Sequence, residues 1–230
     1  MSNHGLAGSA GPHVFVESLD NPNLSDEDLS HLERSLRMRD GDPLTVSDGA
    51  GSWAHGILGA HGQLSLVDDV QFVPKPGRDL TVAFSLVKGS KPELVVQKLT
   101  ELGIDRIVAL VADRSVVKWD DDKVGKATQR WERIVHEAAM QSHRVRVPEI
   151  AGIVHSHDFL SASSEIALAH FDGGQVTESH HTIAIGPEGG WSDRELEPVL
   201  ERVRLGDTVL RAETAAIAAG ALLVATHRHR

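Results

Sequence analysis

Thr182-Ile183-Ala184-Ile185-Gly186-Pro187-Glu188-Gly189-Gly190 carries a short apolar run straight into a glycine loop. The first four residues have the length and β-branched character of a strand buried on both faces. Glycines at the carboxyl end of such a strand let the backbone approach a ligand, and in open α/β sheets ligands bind at those ends. Ser192 with Glu195 then forms a capping-box pattern, which predicts a helix to about Val203. Alone, the glycines would more often mark a tight turn requiring positive φ; their surroundings carry the argument further.

On both sides of this segment the chain alternates strand and helix. Thr81 to Leu86 reads as an apolar strand, and Pro92 fits the first turn of a helix that stops near Leu102, at Gly103. Ile107 to Val111 is the next strand and Asp120 to Ser142 a long helix. Ile166 to Ala169 and Thr182 to Ile185 are further strands, Thr208 to Leu210 is a short one, and Thr214 to Thr226 is an Ala-rich final helix that Thr214 can cap. This alternation implies an α/β fold with a mostly parallel sheet covered on both faces.

The first 74 residues read differently. Residues 1–12 are expected to be a disordered tail, lacking the basic-then-apolar pattern of a signal peptide. Val14 to Val16 is a strand candidate, and Ser25 to Asp28 opens a helix from about Asp26 to Met38. Asp42 to Val46, Trp53 to Leu58 and Ser65 to Phe72 read as strands, the first two joined at Asp48-Gly49. Short strands around one helix suggest a small β-barrel over residues 13–74. Pro74 to Gly77 places the boundary, leaving 75–230 as the second domain.

Composition narrows the chemistry. With 230 residues, 40% hydrophobic and 24% charged, the chain reads as globular, and no apolar run reaches a membrane span. It has no cysteine, which excludes disulfides and thiol nucleophiles. The net charge of -10 argues against a polyanionic partner. Yet residues 75–150 carry 14 Lys and Arg against 11 acids, so only this third is basic. Lys126, Arg130 and Arg133 lie three and four apart on the long helix, either as a solvated face or as an RNA-facing stripe, with Arg34, Arg37 and Arg39 as a second contact. The 14 histidines cluster at His155 to His157, His180-His181 and His227 to His229. None has a helical metal-ligand spacing, so no metal site is expected and loop or tail exposure accounts for them.

Two more segments stand beside the glycine loop: Leu205-Gly206-Asp207-Thr208-Val209-Leu210-Arg211-Ala212-Glu213-Thr214-Ala215, and Glu137-Ala138 with Gln141-Ser142-His143-Arg144. Together with Gln97 to Ile104 and Asp113-Arg114-Ser115, they resemble the RsmE family of small-subunit ribosomal RNA methyltransferases, of the SPOUT class. Upstream, Leu36 to Arg39, Gly41-Asp42 and Asp48-Gly49 are similar to that family's N-terminal domain, although Ser35 stands where the family has an aliphatic residue. The resemblance runs from about Phe15 to the C-terminus in consistent order.

The resemblance implies a PUA-like RNA-binding barrel followed by a SPOUT domain tied in a trefoil knot, and a homodimer; the absence of cysteine fits a cytoplasmic location. It implies an enzyme that methylates N3 of a uridine at the decoding centre of 16S rRNA, on naked RNA or the assembled subunit. S-adenosylmethionine would lie between a wall of Gly186, Glu188, Gly189 and Gly190 and a wall of Leu205, Gly206, Leu210 and Thr214. Loss of the N3 proton calls for cationic donors beside the uridine oxygens. Arg114, Arg144 and Arg211 are the candidates because an arginine stays charged. Glu213 has the chemistry of a base, or holds Arg211. Each is alternatively a structural ion pair; for Arg144 that reading weighs as much as catalysis or RNA contact, and for Arg114 and Arg211 slightly less.

Two other functions compete. One is a non-catalytic RNA-binding protein with a degenerate methyltransferase fold, against which the two intact motifs argue. The other is a phosphate-binding enzyme using the glycines as an anion nest, but Ile185 to Trp191 contains no Lys or Arg.

Overall fold

The computed structural model describes residues 11–75, 77–89, 91–117 and 119–228; the tail expected over residues 1–12 lies outside them up to residue 10. The chain forms two compact units. One takes the residues up to 75 together with His136–Val147, and the other takes the rest. The long helix therefore contributes its last residues to the first unit, which no break in its sequence pattern announces.

In the first unit, β1 (His13–Phe15) lies parallel to β2 (Pro43–Ser47), and β2 pairs antiparallel with β3 (Ser52–Leu58). β4 (Leu64–Leu66) and β5 (Gln71–Phe72) both pair with β3. Among the described residues no ladder joins β1 to β4 or β5, so hydrogen-bonded strands do not close a barrel here. The strand expected over Ser65 to Phe72 is split, because the Asp68 carboxylate accepts from the His55 N–H at 2.8 Å and interrupts the ladder. α1 (Asp26–Arg34) is capped by Ser25 but ends four residues before Met38, and Arg37 turns to φ 57°. Leu32 of α1 seals a small core with Val14, Leu44, Val46, Leu58 and Leu64. His13 is 2% exposed beside it, bonded to Thr45 Oγ1 at 2.9 Å; burial and the adjacent His143 lower its pKa to about 4.

The second unit is a six-stranded parallel sheet. Its strands are β6 (Thr81–Ser85), β7 (Arg106–Val111), β8 (Glu149–His155), β9 (Ile166–Gly174), β10 (Thr182–Ile185) and β11 (Glu201–Val203), in spatial order β11-β9-β10-β6-β7-β8. Period-two alternation assigns each strand residue to a face. Val82, Phe84, Ile107, Ala109, Ile183 and Ile185 face a core shared with α2 (Lys91–Leu102), α3 (Asp121–Gln141) and α6 (Ala212–Arg228). Ala83, Val108, Leu110, Leu168 and Ala184 face the other way, against Leu160, Trp191 and Val199. Trp131 and Phe84, each almost fully buried, contribute about 2–3 kcal/mol apiece.

Five local expectations change. β8 and α4 (Ser156–Ser161) occupy a stretch with no evident signal, since the edge strand β8 is interrupted at Gly152, φ 83°. The Ser192–Glu195 capping box forms, but its helix α5 (Asp193–Leu196) stops where Pro198 offers no N–H; Val203 belongs to β11 instead. Thr208 to Leu210 is not a strand. α6 begins at Ala212, so Thr214 sits inside it and does not cap it. His180, expected to be exposed, is 8% exposed, its ring Nδ1 accepting from the Thr177 N–H at 2.9 Å.

Candidate active site

The parallel sheet changes direction of winding at β6: the chain steps outward to β7 and β8, then crosses to β9 and returns to β10. Crevices open at the carboxyl ends of strands around such a point. There the second unit holds a cavity of about 370 Å³, within the range of small-molecule sites.

Its first wall is the loop after β10. Ile185, Gly186, Pro187, Glu188, Gly190 and Trp191 line it. The loop is closed by the Gly190 N–H donating to Pro187 O at 2.9 Å, with Gly190 at φ 71° where side chains rarely go. A Cβ on Gly186 would stand 2.9 Å from the Trp191 ring, and Trp191 is only 6% exposed, so glycine is required there by packing. The Trp191 indole N–H is buried without a hydrogen-bond partner.

The second wall comes from the segment after β11. Arg204, Leu205, Gly206, Thr208, Val209 and Leu210 line the same cavity, followed by Ala212 and Ala215 of α6. Ala169, His170 and Phe171 of β9, Leu196 of α5 and Arg114, beyond the end of β7, complete it.

Glu195 fixes this frame. It is fully buried, and its carboxylate accepts from Ser192 N at 2.7 Å, Asp113 N at 3.0 Å and Ser156 Oγ at 2.5 Å. Ser192 Oγ also donates to Asp113 at 2.6 Å. The capping box thus ties the glycine loop to the segment bearing Arg114, whose guanidinium reaches Gly189 O at 3.4 Å. Nothing in the spacing from residue 113 to 195 signals this link.

Of the residues expected from sequence, Arg114, Gly186, Glu188, Gly190, Leu205, Gly206 and Leu210 are brought together around one cavity. Gly189 contributes its carbonyl to Arg114, and Thr214 is exposed on α6, outside the lining. Arg211 is exposed between the lining residues Leu210 and Ala212. Glu213 pairs with Lys91 at 3.0 Å, and Arg211 adds an electrostatic attraction. Burial pushes the Glu213 carboxyl up, but its own backbone N–H, Lys91 and Arg211 outweigh that and keep it below the usual range.

Arg34, Arg37, Arg39, Lys126, Arg130 and Arg133 are all exposed. Lys126 pairs with Asp122 at 2.7 Å and Arg130 with Glu93 at 3.4 Å, so part of the basic stripe is neutralised. Arg144 is 6% exposed in the first unit, a burial that sets it apart from those surface cations. Sequence reasoning missed Trp191, His170, Phe171 and Arg204; only Trp191, next to the glycines, carried a signal. Among the described residues, no helix is long and apolar enough to cross a membrane, and no group of three His or acidic residues is arranged for a metal.

Residues 74–224 match the RNA methyltransferase domain family. The ribosomal RNA small subunit methyltransferase E of Mycobacterium bovis is 32% identical over 220 residues, covering 86% of this chain and 84% of that one. The Bacillus subtilis protein of the same name is 29% identical, covering 87% and 88%. The crystal structure of ribosomal RNA small subunit methyltransferase E from Neisseria gonorrhoeae, bound to S-adenosyl methionine, superposes with a TM-score of 0.79 at 25% identity, over 93% of this chain and 97% of that one.

Proposed function

This chain belongs to the ribosomal RNA small subunit methyltransferase E family, and from that premise we propose that it transfers a methyl group from S-adenosylmethionine to N3 of a uridine in 16S rRNA, at the decoding centre. The observation that carries this is the meeting of the two distant loops, 186–191 and 204–210, around one cavity of about 370 Å³.

The lining suits the cofactor. Ile185, Leu205, Leu210, Ala212 and Ala215 offer apolar surface to a flat purine, and Gly186, Gly190 and Gly206 leave backbone groups within reach of its polar edges. The unpartnered Trp191 N–H lies in the same wall, and the Glu188 carboxylate complements a positively charged ligand. When bound, the cofactor supplies a methyl group on a sulfonium, open to in-line attack. The chain's own task is alignment and charge stabilisation. Arg114, anchored on Gly189 O, donates to a uridine oxygen and stabilises the anion formed as N3 gives its proton to solvent water. Arg211 takes the RNA side, and Glu213, held ionised by Lys91, fixes the start of α6.

The exposed Arg34, Arg37 and Arg39 of the first unit, read as PUA-like, and Arg133 contact phosphates. The chain acts as a cytoplasmic homodimer whose C-terminal segment is threaded as a knot. The return of α6 from the sheet edge at β11 to pack on β6 and β10 supports that threading.

Mass mapping of 16S rRNA from cells lacking the gene tests this reading. One base-methylated uridine is expected to disappear and to return on complementation. An unchanged map overturns it.

A further inference from the structure

β9 does not stay in its ladder. Ala167 and Leu168 pair with Glu201 and Arg202 of β11, but the next residue, Val203, pairs with Gly174. Five residues, Ala169-His170-Phe171-Asp172-Gly173, are therefore looped out between two consecutive positions of the partner strand. Bulges of this kind re-aim side chains and recur beside functional sites.

The loop is held, not loose. Gly173 is pressed on β11 so closely that a Cβ would fall 2.4 Å from the Val203 backbone. Asp172 accepts from Arg202 at 2.9 Å and pairs with the His170 ring. Arg204 N–H donates to Gly174 O at 2.7 Å, just past the loop. What this framework displays is Phe171. Its ring is 65% exposed, yet it lines the cavity together with Val209, itself 80% exposed. A single exposed apolar residue needs no explanation; an aromatic one projected by a stapled bulge onto the rim of a cavity does.

The rim also carries Arg114 and Arg204. Aromatic face beside guanidinium is the chemistry that holds an unstacked base and its phosphate. We propose that Phe171 is a stacking platform for an unpaired nucleobase of the RNA substrate, presented by the β9 bulge at the mouth of the cofactor cavity. It is a positioning residue for the target strand, not part of the cofactor's own pocket. This deepens the methyltransferase reading and rests on it.

The test measures methyl transfer to small ribosomal subunits at varied RNA concentration, and S-adenosylmethionine affinity by calorimetry, for the full chain and its variants. Phe171→Ala is expected to raise the KM for the RNA substrate about tenfold while leaving cofactor affinity within about twofold, since base stacking on an aromatic side chain is sequence-tolerant and of that size. Phe171→Trp restores the KM. Leu200→Ala, at an exposed apolar residue outside the cavity lining, leaves it unchanged. An active wild type with an unaltered KM in Phe171→Ala overturns the stacking role alone. So does a matching loss of cofactor affinity, which would place the ring in the cofactor site. A wild type that binds the cofactor but methylates no RNA overturns both this proposal and the reading beneath it.

Discussion

The two loops that face each other across the cavity are built to different standards. The loop after β10 is locked: Gly190 closes it onto Pro187, the buried Trp191 ring rests against Gly186, and Glu195 bonds its end to two other elements. The loop after β11 is lightly held. Arg204 and Asp207 pair at 3.5 Å with Asp207 almost fully exposed, nothing stands within 4 Å of a Cβ on Gly206, and Val209 is 80% exposed. One wall is preformed and the other can adapt. A segment with few buried contacts and exposed backbone opens at low free-energy cost. The site therefore has a fixed floor, on which reacting groups can be aligned, and a second wall free to settle on its ligand.

That contrast makes unequal predictions. Glu195→Ala removes a fully buried carboxylate and strands the groups bonded to it, so it should cost about 3 kcal/mol of stability. The drop in denaturation midpoint measures it. Gly186→Ala forces a methyl against the Trp191 ring, costing roughly 1–3 kcal/mol through overpacking. Calorimetry should show cofactor affinity reduced by about tenfold or more as the ring shifts into the cavity. Gly206→Ala meets only open space and should change stability by no more than about 0.5 kcal/mol, with cofactor affinity nearly intact. A Gly206→Ala cost equal to that of Gly186→Ala would erase the distinction between the loops.

What was legible in the sequence follows the same division. The buried strands declared themselves by composition, and Thr182–Ile185 has the expected limits because it is flanked by a glycine loop. The locked loop was legible because its glycines are forced by φ and by packing. The edge strand β8 was not, since Gly152 and a register shift blur its alternation. The helix at Ser192 was overextended because the cap is local chemistry, whereas its end depends on Pro198. Thr208 to Leu210 has strand-like composition but lines the cavity instead of joining a ladder. The β9 bulge was invisible because it is defined by what β11 does 30 residues later, and the Glu195 link joins residues 82 apart in the chain. Glycines and apolar runs report local constraint; the partners that fix Arg114 and Phe171 are set by tertiary structure.

Hydrogen exchange with and without S-adenosylmethionine tests the central claim most directly. Protection should rise in both 186–191 and 204–212, with the larger change in the second segment, which is the more exposed. Protection confined to one of these segments, or appearing elsewhere in the chain, would contradict a cofactor site formed by the two loops together.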